Sequence, residues 1–192
     1  MEETINFFNE QKHVFTLLHV FSVIVGMGSA LVSDILFNVY IKDKKINIHE
    51  DRTLNTLSKI IWFSLFFIFI SGLALFLSDP VKYSQSVKFL IKMTIVTVVI
   101  INGYMFQRIV HPALRKINFS DTNVHHKYVK LRKLSFAFGA ISLTSWLLAF
   151  LLGMLKSIPI SYTIALVGYI SILLGGVLFS QIVEYRLTHK GK

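Results

Sequence analysis

Five long apolar stretches limit what this chain can fold into. Four of them are free of Lys, Arg, Asp and Glu over at least 19 residues, and the remaining one contains a single basic residue, Lys92. A hydrocarbon core of about 30 Å needs about 20 apolar helical residues, and open strands would leave unpaired backbone groups in lipid. We therefore predict an all-α polytopic membrane protein, a bundle of five transmembrane helices forming one integral membrane domain over residues 1–192. The predicted spans are about residues 14–41, 60–78, 88–111, 134–155 and 159–183.

The overall composition excludes several other protein classes. Hydrophobic residues make up 54% of the chain and charged residues 16%, whereas soluble domains contain about 25% charged residues. The chain has no Cys, which excludes a disulfide-stapled secreted domain. It contains no P-loop, glycine-rich dinucleotide loop, H-E-x-x-H or G-x-S-x-G motif, so a nucleotide enzyme of the soluble type is not expected.

The basic residues are distributed unequally between the predicted loops. Of the 20 Lys and Arg residues, 15 fall in the first loop, the third loop and the C-terminal tail. Because cytoplasmic loops carry the excess of Lys and Arg, this distribution predicts an outside N-terminus and a cytoplasmic C-terminus. The formal net charge of +10 then favours contact with anionic lipid headgroups on the cytoplasmic side, and no nucleic-acid partner is expected.

Polar residues follow one face of the first span. His19, Ser22, Gly26, Ser29 and Ser33 recur at intervals of three and four, which places them on one side of a helix. A small-residue packing seam explains the serines and the glycine, whereas the histidine is either a hydrogen-bonded structural residue or a functional one.

Lys92 lies well inside the third predicted span and is the single basic residue of the stretch 89–107. Since it lies about six residues into the third span, as His19 does in the first, both are roughly 9 Å below the predicted outer boundary. Lys92 shares its helix face with Asn102, and this face could meet the His19 face. The alternative is that the lysine extends its long side chain to the headgroups.

A second group of polar residues lies near the predicted cytoplasmic ends of the spans. It comprises Asp34, Arg108, His111, Gln181 and Glu184. Intramembrane ionisable residues are candidate functional sites. Two interpretations remain open: ion pairs that fix the helix register, with Asp34 or Glu184 pairing with Arg108, or a proton or ion path from Asp34 toward His19.

The residues near His19 also permit a cofactor hypothesis. A metal centre built from several ligands is not favoured, because Cys is absent and His13 lies on a different helix face from His19. A b-type haem needs only one axial histidine, so His19 is the candidate metal ligand and Lys92 a second ligand or propionate partner. Gly26 would leave space for the macrocycle, and Asn102 completes the candidate cofactor-binding set. Phe21, Trp62 and Phe106 are candidate aromatic walls.

Three segments carry a family resemblance. They are Leu18–Gly28, which reads Leu-His followed by apolar residues and then Gly26-Met27-Gly28, the segment Lys92–Val96 that opens the third span, and the basic loop His125–Arg132. Together they resemble the HemJ-type protoporphyrinogen oxidases and CopD-type copper-resistance proteins, small bacterial integral membrane proteins.

This resemblance implies a multi-pass protein of the bacterial inner (plasma) membrane that binds haem b. In the HemJ type, a histidine of the first helix and a lysine of the third helix are functionally important. The corresponding residues in this chain are His19 and Lys92. Where that type has Tyr-His late in the third helix, this chain has Asn102-Gly103.

Three functions remain as hypotheses. The first is a haem b protein with a redox-related role, a membrane haem-dependent oxidoreductase if it is an enzyme. The second is a small transporter or proton- or ion-conducting protein that uses His19, Lys92, Asn102 and Asp34. The third is a non-catalytic subunit that forms a homo-oligomer or joins a membrane partner through small-residue faces that include Gly168, Gly175 and Gly176.

Overall fold

A computed structural model describes residues 2–40, 47–115 and 124–189 of the chain. The side chains of residues 2, 4, 114–115, 124–127 and 187–189 are outside this description. Several predictions therefore lie outside the described residues. These are the lysines at positions 42, 44, 45, 116, 190 and 192 counted for the orientation, and the side chains of His125 and His126.

The described elements are all helical. In chain order they are α1 (Glu2–Glu10), α2 (Lys12–Tyr40), α3 (Ile48–Ser78), α4 (Pro80–Ser84), α5 (Val87–Met105), a π-helical turn (Phe106–Val110), α6 (His111–Arg115), α7 (Val124–Met154) and α8 (Tyr162–His189).

Five of these segments are long and apolar enough to cross a membrane, and they confirm the predicted all-α fold with five spans. α2, α3, α7 and α8 each supply one, and α5 supplies the other together with the π turn and the start of α6. α3 starts at Ile48 and α7 at Val124, about three turns before the predicted spans begin. Hydropathy misses these first turns because they are polar, and the helices continue past the apolar segment.

Local sequence signals account for several helix ends. The Glu50 carboxylate accepts a hydrogen bond of 2.7 Å from the backbone N–H of Asn47, which supports the first turn of α3. α3 ends at Ser78, just before Asp79 and Pro80, because proline disfavours helical geometry in the residue before it. Asp79 then accepts a hydrogen bond from the backbone N–H of Lys82 at the start of α4.

The π-helical turn interrupts the third span just before Pro112. There the backbone N–H of His111 donates to the carbonyl of Phe106, five residues earlier. Proline lacks an N–H and its ring clashes with the carbonyl four residues before it. The wider turn gives the chain room for this defect and changes the direction of the side chains that follow.

The helices pack in two groups that meet inside the bundle. α2 packs along α3, while α7 packs against both α5 and α8 and also contacts α2. The central apolar cluster joins the groups through Ala30 of α2, Leu65 and Ile68 of α3, Val99 of α5 and Trp146 of α7. On the predicted cytoplasmic side of this cluster, a cavity remains between the two groups of helices.

Candidate functional site

A cavity of about 400 Å³ lies between the two groups of helices. α2, α3, α7 and the third span all contribute to it. The polar and charged residues of the lining are Ser33, Asp34, Asn55, Ser58, Asn102, Gln107, His111, Ser135 and Ser142. Its aromatic residues are Phe37, Trp62, Phe106, Phe138 and Trp146. A polar cavity inside a membrane bundle is a candidate binding site.

Asp34 is the acidic residue of the cavity lining. It is partly exposed, but its Oδ2 atom is buried and accepts no hydrogen bond from any residue that the structure describes. A buried carboxylate oxygen without a partner is costly. Sequence reasoning selected Asp34, and the structure places it in the wall of the cavity.

A glycine on α7 makes room for the Asp34 carboxylate. A Cβ atom built on Gly139 would lie 3.3 Å from Oδ1 and 3.6 Å from Cγ of Asp34. Nearer the middle of the bundle, a Cβ on Gly26 of α2 would lie 2.7 Å from Cη2 of Trp146. These two contacts show that α2 and α7 run antiparallel and approach each other closely along the cavity.

Two side-chain contacts connect the third span to α3 beside the cavity. The Nε2 atom of Gln107 donates a hydrogen bond to the hydroxyl of Ser58. One turn further on, Nε2 of His111 lies 2.9 Å from Oδ1 of Asp51. His111, predicted as an intramembrane polar residue, therefore pairs with a carboxylate of α3.

Asn102 joins α5 to α7 at the cavity wall. It is buried, and its Nδ2 atom donates a hydrogen bond of 3.0 Å to the backbone carbonyl of Phe138. This hydrogen bond links α5 to α7. Asn102 therefore stabilises the packing of the two helices and also lines the cavity.

The central apolar cluster lies between Asp34 and His19. Ala30 comes one turn before Asp34 on α2, and Leu65, Ile68, Val99 and Trp146 pack around it. The region that would connect the cavity to His19 is therefore filled with apolar side chains in this conformation. The polar residues around His19 and those around Asp34 therefore form two separate groups.

His19, which the sequence places near the outer membrane boundary, contacts α3. Its Nδ1 atom lies 3.0 Å from Oγ of Ser71. Because the Ser71 hydroxyl lies 2.5 Å from the carbonyl oxygen of Phe67 and donates to it, Nδ1 of His19 is the donor in the His19–Ser71 bond. The ring also packs beside Gly72, whose built Cβ would lie 3.5 Å from Cε1 of His19.

Lys92 lies beside the C-terminal end of α7. A Cβ built on Gly153 would lie 3.6 Å from its Nζ atom, and Lys88, one turn earlier, donates a hydrogen bond to the carbonyl of Leu155. A helix C-terminus attracts positive charge, so this location stabilises a lysine at membrane depth. Lys92 also lies within electrostatic range of His19.

The space that the sequence assigned to a macrocycle is occupied by protein. Gly26 is buried against the Trp146 ring and the Cβ of Ser64. Phe21 is 66% exposed on the outside of the bundle, whereas Trp62 and Phe106 line the cavity on the other side of the central cluster. The predicted cofactor residues do not enclose a common space.

Glu184 and Arg108, from the group of polar residues near the predicted cytoplasmic ends of the spans, have other partners than predicted. Arg132 of α7 donates from Nε to Oε1 of Glu184 over 2.7 Å, and Glu184 is 2% exposed. Arg108 lies over the ring of Tyr104, 5.5 Å from its centre. The carboxylate of Glu184 thus connects α7 and α8, and Arg108 faces outward.

Metal ligation finds no support in the part of the chain that the structure describes. Over residues 2–40, 47–115 and 124–189, no three His, Asp or Glu side chains come together in a way that could hold a metal ion. His19, the predicted metal ligand, has Ser71 as its hydrogen-bond partner.

The α8 glycines differ in their surroundings. Gly176 lies against α7, where a built Cβ would be 2.8 Å from Oγ1 of Thr144. Gly168 and Gly175 have no described atom within 4 Å of a built Cβ. Only the last two remain available to a partner helix, and the prediction of an oligomer or membrane partner stays a prediction.

Apart from Trp62, sequence reasoning missed the residues that α3 and α7 contribute to the cavity. Four of the five from α7, namely Ser135, Gly139, Ser142 and Trp146, follow the same alternation of intervals of four and three as the His19 face of α2. The spacing was therefore readable from the sequence. Because each of these residues is common in membrane helix packing, the pattern alone did not indicate a cavity.

Comparison of the chain with family models, with curated proteins and with solved structures finds no match. The chain is a small integral membrane protein with five apolar helices. Its function is therefore argued from the cavity and from the residues that line it.

Proposed function

We propose that this chain is a small membrane transporter that takes up a cation, or a proton, at Asp34. The observation that carries the proposal is the buried Oδ2 atom of Asp34, which has no hydrogen-bond partner among the described residues and belongs to the lining of a 400 Å³ cavity. A carboxylate in this position binds a proton or a cationic group, because either one replaces the lost hydration.

The shape of the cavity supports transport over simple conduction. Polar side chains lie on the side of Asp34 that leads to Gln107 and His111, whereas the Ala30 cluster fills the bundle beyond it. A solute could reach Asp34 from one end and would stop there. Transport would then require the two groups of helices to rearrange so that the apolar cluster opens.

We expect flux through the purified protein to depend on Asp34. In liposomes that contain the native chain, the entry of protons is measured with a trapped pH-sensitive dye, and the entry of methylammonium with a radiolabel. At least one flux should exceed that of protein-free liposomes. Asp34→Asn, which keeps the side-chain shape and removes the charge, should return it to the background.

Asp79→Asn is the matched control for this experiment. Asp79 caps α4 at the other end of the bundle, and asparagine also serves as a helix cap. Native flux in this variant together with background flux in Asp34→Asn is the expected result. Transport is contradicted if neither flux rises above the background, or if Asp34→Asn carries the native flux.

The haem b hypothesis has weaker geometric support. A lone pair on Nε2 of His19 would remain for iron, since Nδ1 donates to Ser71. However, Trp146 and Ser64 lie directly against Gly26, where the macrocycle was expected. The absorbance spectrum of protein purified from haem-replete cells is the check. A Soret band that disappears in His19→Ala would support haem, and a colourless preparation would exclude it.

A further inference from the structure

The charge of the cavity lining limits which ligands can bind there. Among the residues that the structure describes, no Lys or Arg lines the cavity. The described lining has one carboxylate, that of Asp34, and its one histidine, His111, pairs with Asp51. An anion would therefore find no Lys or Arg partner in this described lining, whereas a single positive charge would be neutralised by Asp34.

Ten of the lining residues are aromatic or aliphatic. Phe37 and Phe106 lie next to each other with ring centres 6.1 Å apart, and Phe138 packs against Phe106 at the same distance. All three rings and both tryptophans of the chain line the cavity. Aromatic faces attract cations and bury apolar bodies, so they favour an organic cation over a hydrated inorganic ion.

The helix register indicates how far the cavity extends from Asp34 toward the middle of the bundle. Asp34 packs over Gly139, and Trp146 follows seven residues later on the same helix, where it closes the cavity against Gly26. Seven residues of α-helix rise about 10 Å. A volume of 400 Å³ is also near the lower end of the range of about 300–1,000 Å³ for small-molecule sites.

We propose that the cavity binds a small aromatic monoamine. The ammonium group forms a charge-assisted hydrogen bond with Asp34, and the ring lies among Phe37, Phe106 and Phe138, on the side of Asp34 away from Trp146. This assignment rests on the proposed transport function for its biological meaning, but the binding it describes can be measured without transport.

Intrinsic fluorescence provides a direct readout, because both tryptophans, Trp62 and Trp146, line the cavity. The purified native chain in detergent is titrated with phenethylamine, with the neutral phenethyl alcohol and with the anionic phenylacetate. We expect a saturable fluorescence change with phenethylamine. The alcohol should bind at least about tenfold more weakly, since it lacks the charge-assisted bond, and phenylacetate should not bind.

The variants distinguish the contribution of the Asp34 charge to amine binding from the contribution of the packing around it. Asp34→Asn should bind phenethylamine and the alcohol with equal affinity, while Asp79→Asn should retain the native preference. Gly139→Ala keeps the charge but places a methyl carbon 3.3 Å from Oδ1 of Asp34, and it should weaken amine binding severalfold. Size-exclusion chromatography of each variant checks that it is folded.

Two results would overturn the proposal. One is equal binding of phenethylamine and the alcohol to the native chain, a comparison that does not depend on any variant folding. The other is an undiminished preference for the amine in Asp34→Asn. Amine binding without flux in liposomes would instead contradict the transport function alone. Asp34-dependent flux of protons or methylammonium without phenethylamine binding would contradict the ligand class alone.

Discussion

Two glycines of α2 lie two residues apart and have opposite surroundings. A Cβ on Gly26 would come within 2.7 Å of the Trp146 ring and 3.1 Å of the Ser64 Cβ, whereas a Cβ on Gly28 would meet no described atom within 4 Å. Gly26 is therefore required for the close approach of α2, α3 and α7. Gly28 imposes no such requirement, and it also lies outside the face that the spacing of His19, Ser22 and Gly26 predicts.

We expect Gly26→Ala to destabilise the protein by about 1–3 kcal/mol, because the added methyl group overpacks the contact with Trp146. Gly28→Ala is the matched control and should be neutral or stabilising by up to about 1 kcal/mol, since alanine is the better helix former. Thermal unfolding in detergent, followed by circular dichroism, measures both. Equal stability of the two variants would contradict this account of Gly26.

The spacing of the polar residues of α2 predicts which of them are buried, but not what they contact. The spacing of His19, Ser22 and Gly26 predicts one inward face, and Ser22 and Gly26 are indeed buried. The partners of His19 and Gly26 come from α3 and α7, at positions 64, 71 and 146. A residue's own sequence context contains no information about such partners, because they are brought close only by the packing of other helices.

At the scale of elements, α8 is attached to α7 by polar contacts. The buried carboxylate of Glu184 accepts a hydrogen bond from Arg132, and the hydroxyls of Ser145 and Tyr169 lie 2.9 Å apart. In addition, Gln181 donates to the backbone carbonyl of Lys133 over 3.0 Å. These contacts determine the register of the two helices, which apolar packing alone specifies weakly.

We expect Glu184→Ala to destabilise the protein by about 3–5 kcal/mol, because it leaves the Arg132 guanidinium partly buried without its carboxylate. The double variant Arg132→Met with Glu184→Leu should recover most of this loss, since well-packed apolar residues can replace a buried ion pair. Denaturant or thermal unfolding in detergent measures the difference. A double variant no more stable than Glu184→Ala would show that the register depends on the pair itself.

The lysines of α5 also act at the scale of elements. Lys88 donates to a carbonyl just beyond the C-terminal end of α7, and Lys92 lies next to Gly153. The sequence placed Lys92 at the depth of His19 but contained no sign that another helix ends there. Its stabilisation depends on where α7 terminates, which is a property of a distant segment.

At the scale of the whole molecule, the orientation in the membrane remains a prediction from the distribution of basic residues. The absence of Cys makes it directly testable, because an introduced cysteine is the one thiol in the chain. Gln85→Cys and Arg186→Cys place it at exposed positions at opposite ends of the bundle.

In intact cells, we expect a membrane-impermeant maleimide to label Gln85→Cys and to spare Arg186→Cys until the cells are permeabilised. This is the pattern that an outside N-terminus requires. The reverse labelling pattern would invert the topology and place the polar end of the cavity outside. Permeabilised cells serve as the control that both thiols are reactive.

Hydropathy is enough to predict the all-α fold and its five spans, because in lipid each helix satisfies its own backbone and its apolar length sets whether it can cross. The sequence also identifies Asp34 as a charged residue at membrane depth. The packing of the helices is needed to show that Asp34 lines a cavity, that Trp146 fills the space beside Gly26, and that Glu184 pairs with Arg132. A cavity is formed by the helices that enclose it, and contacts between distant helices depend on their register and crossing angles, which local hydropathy does not encode.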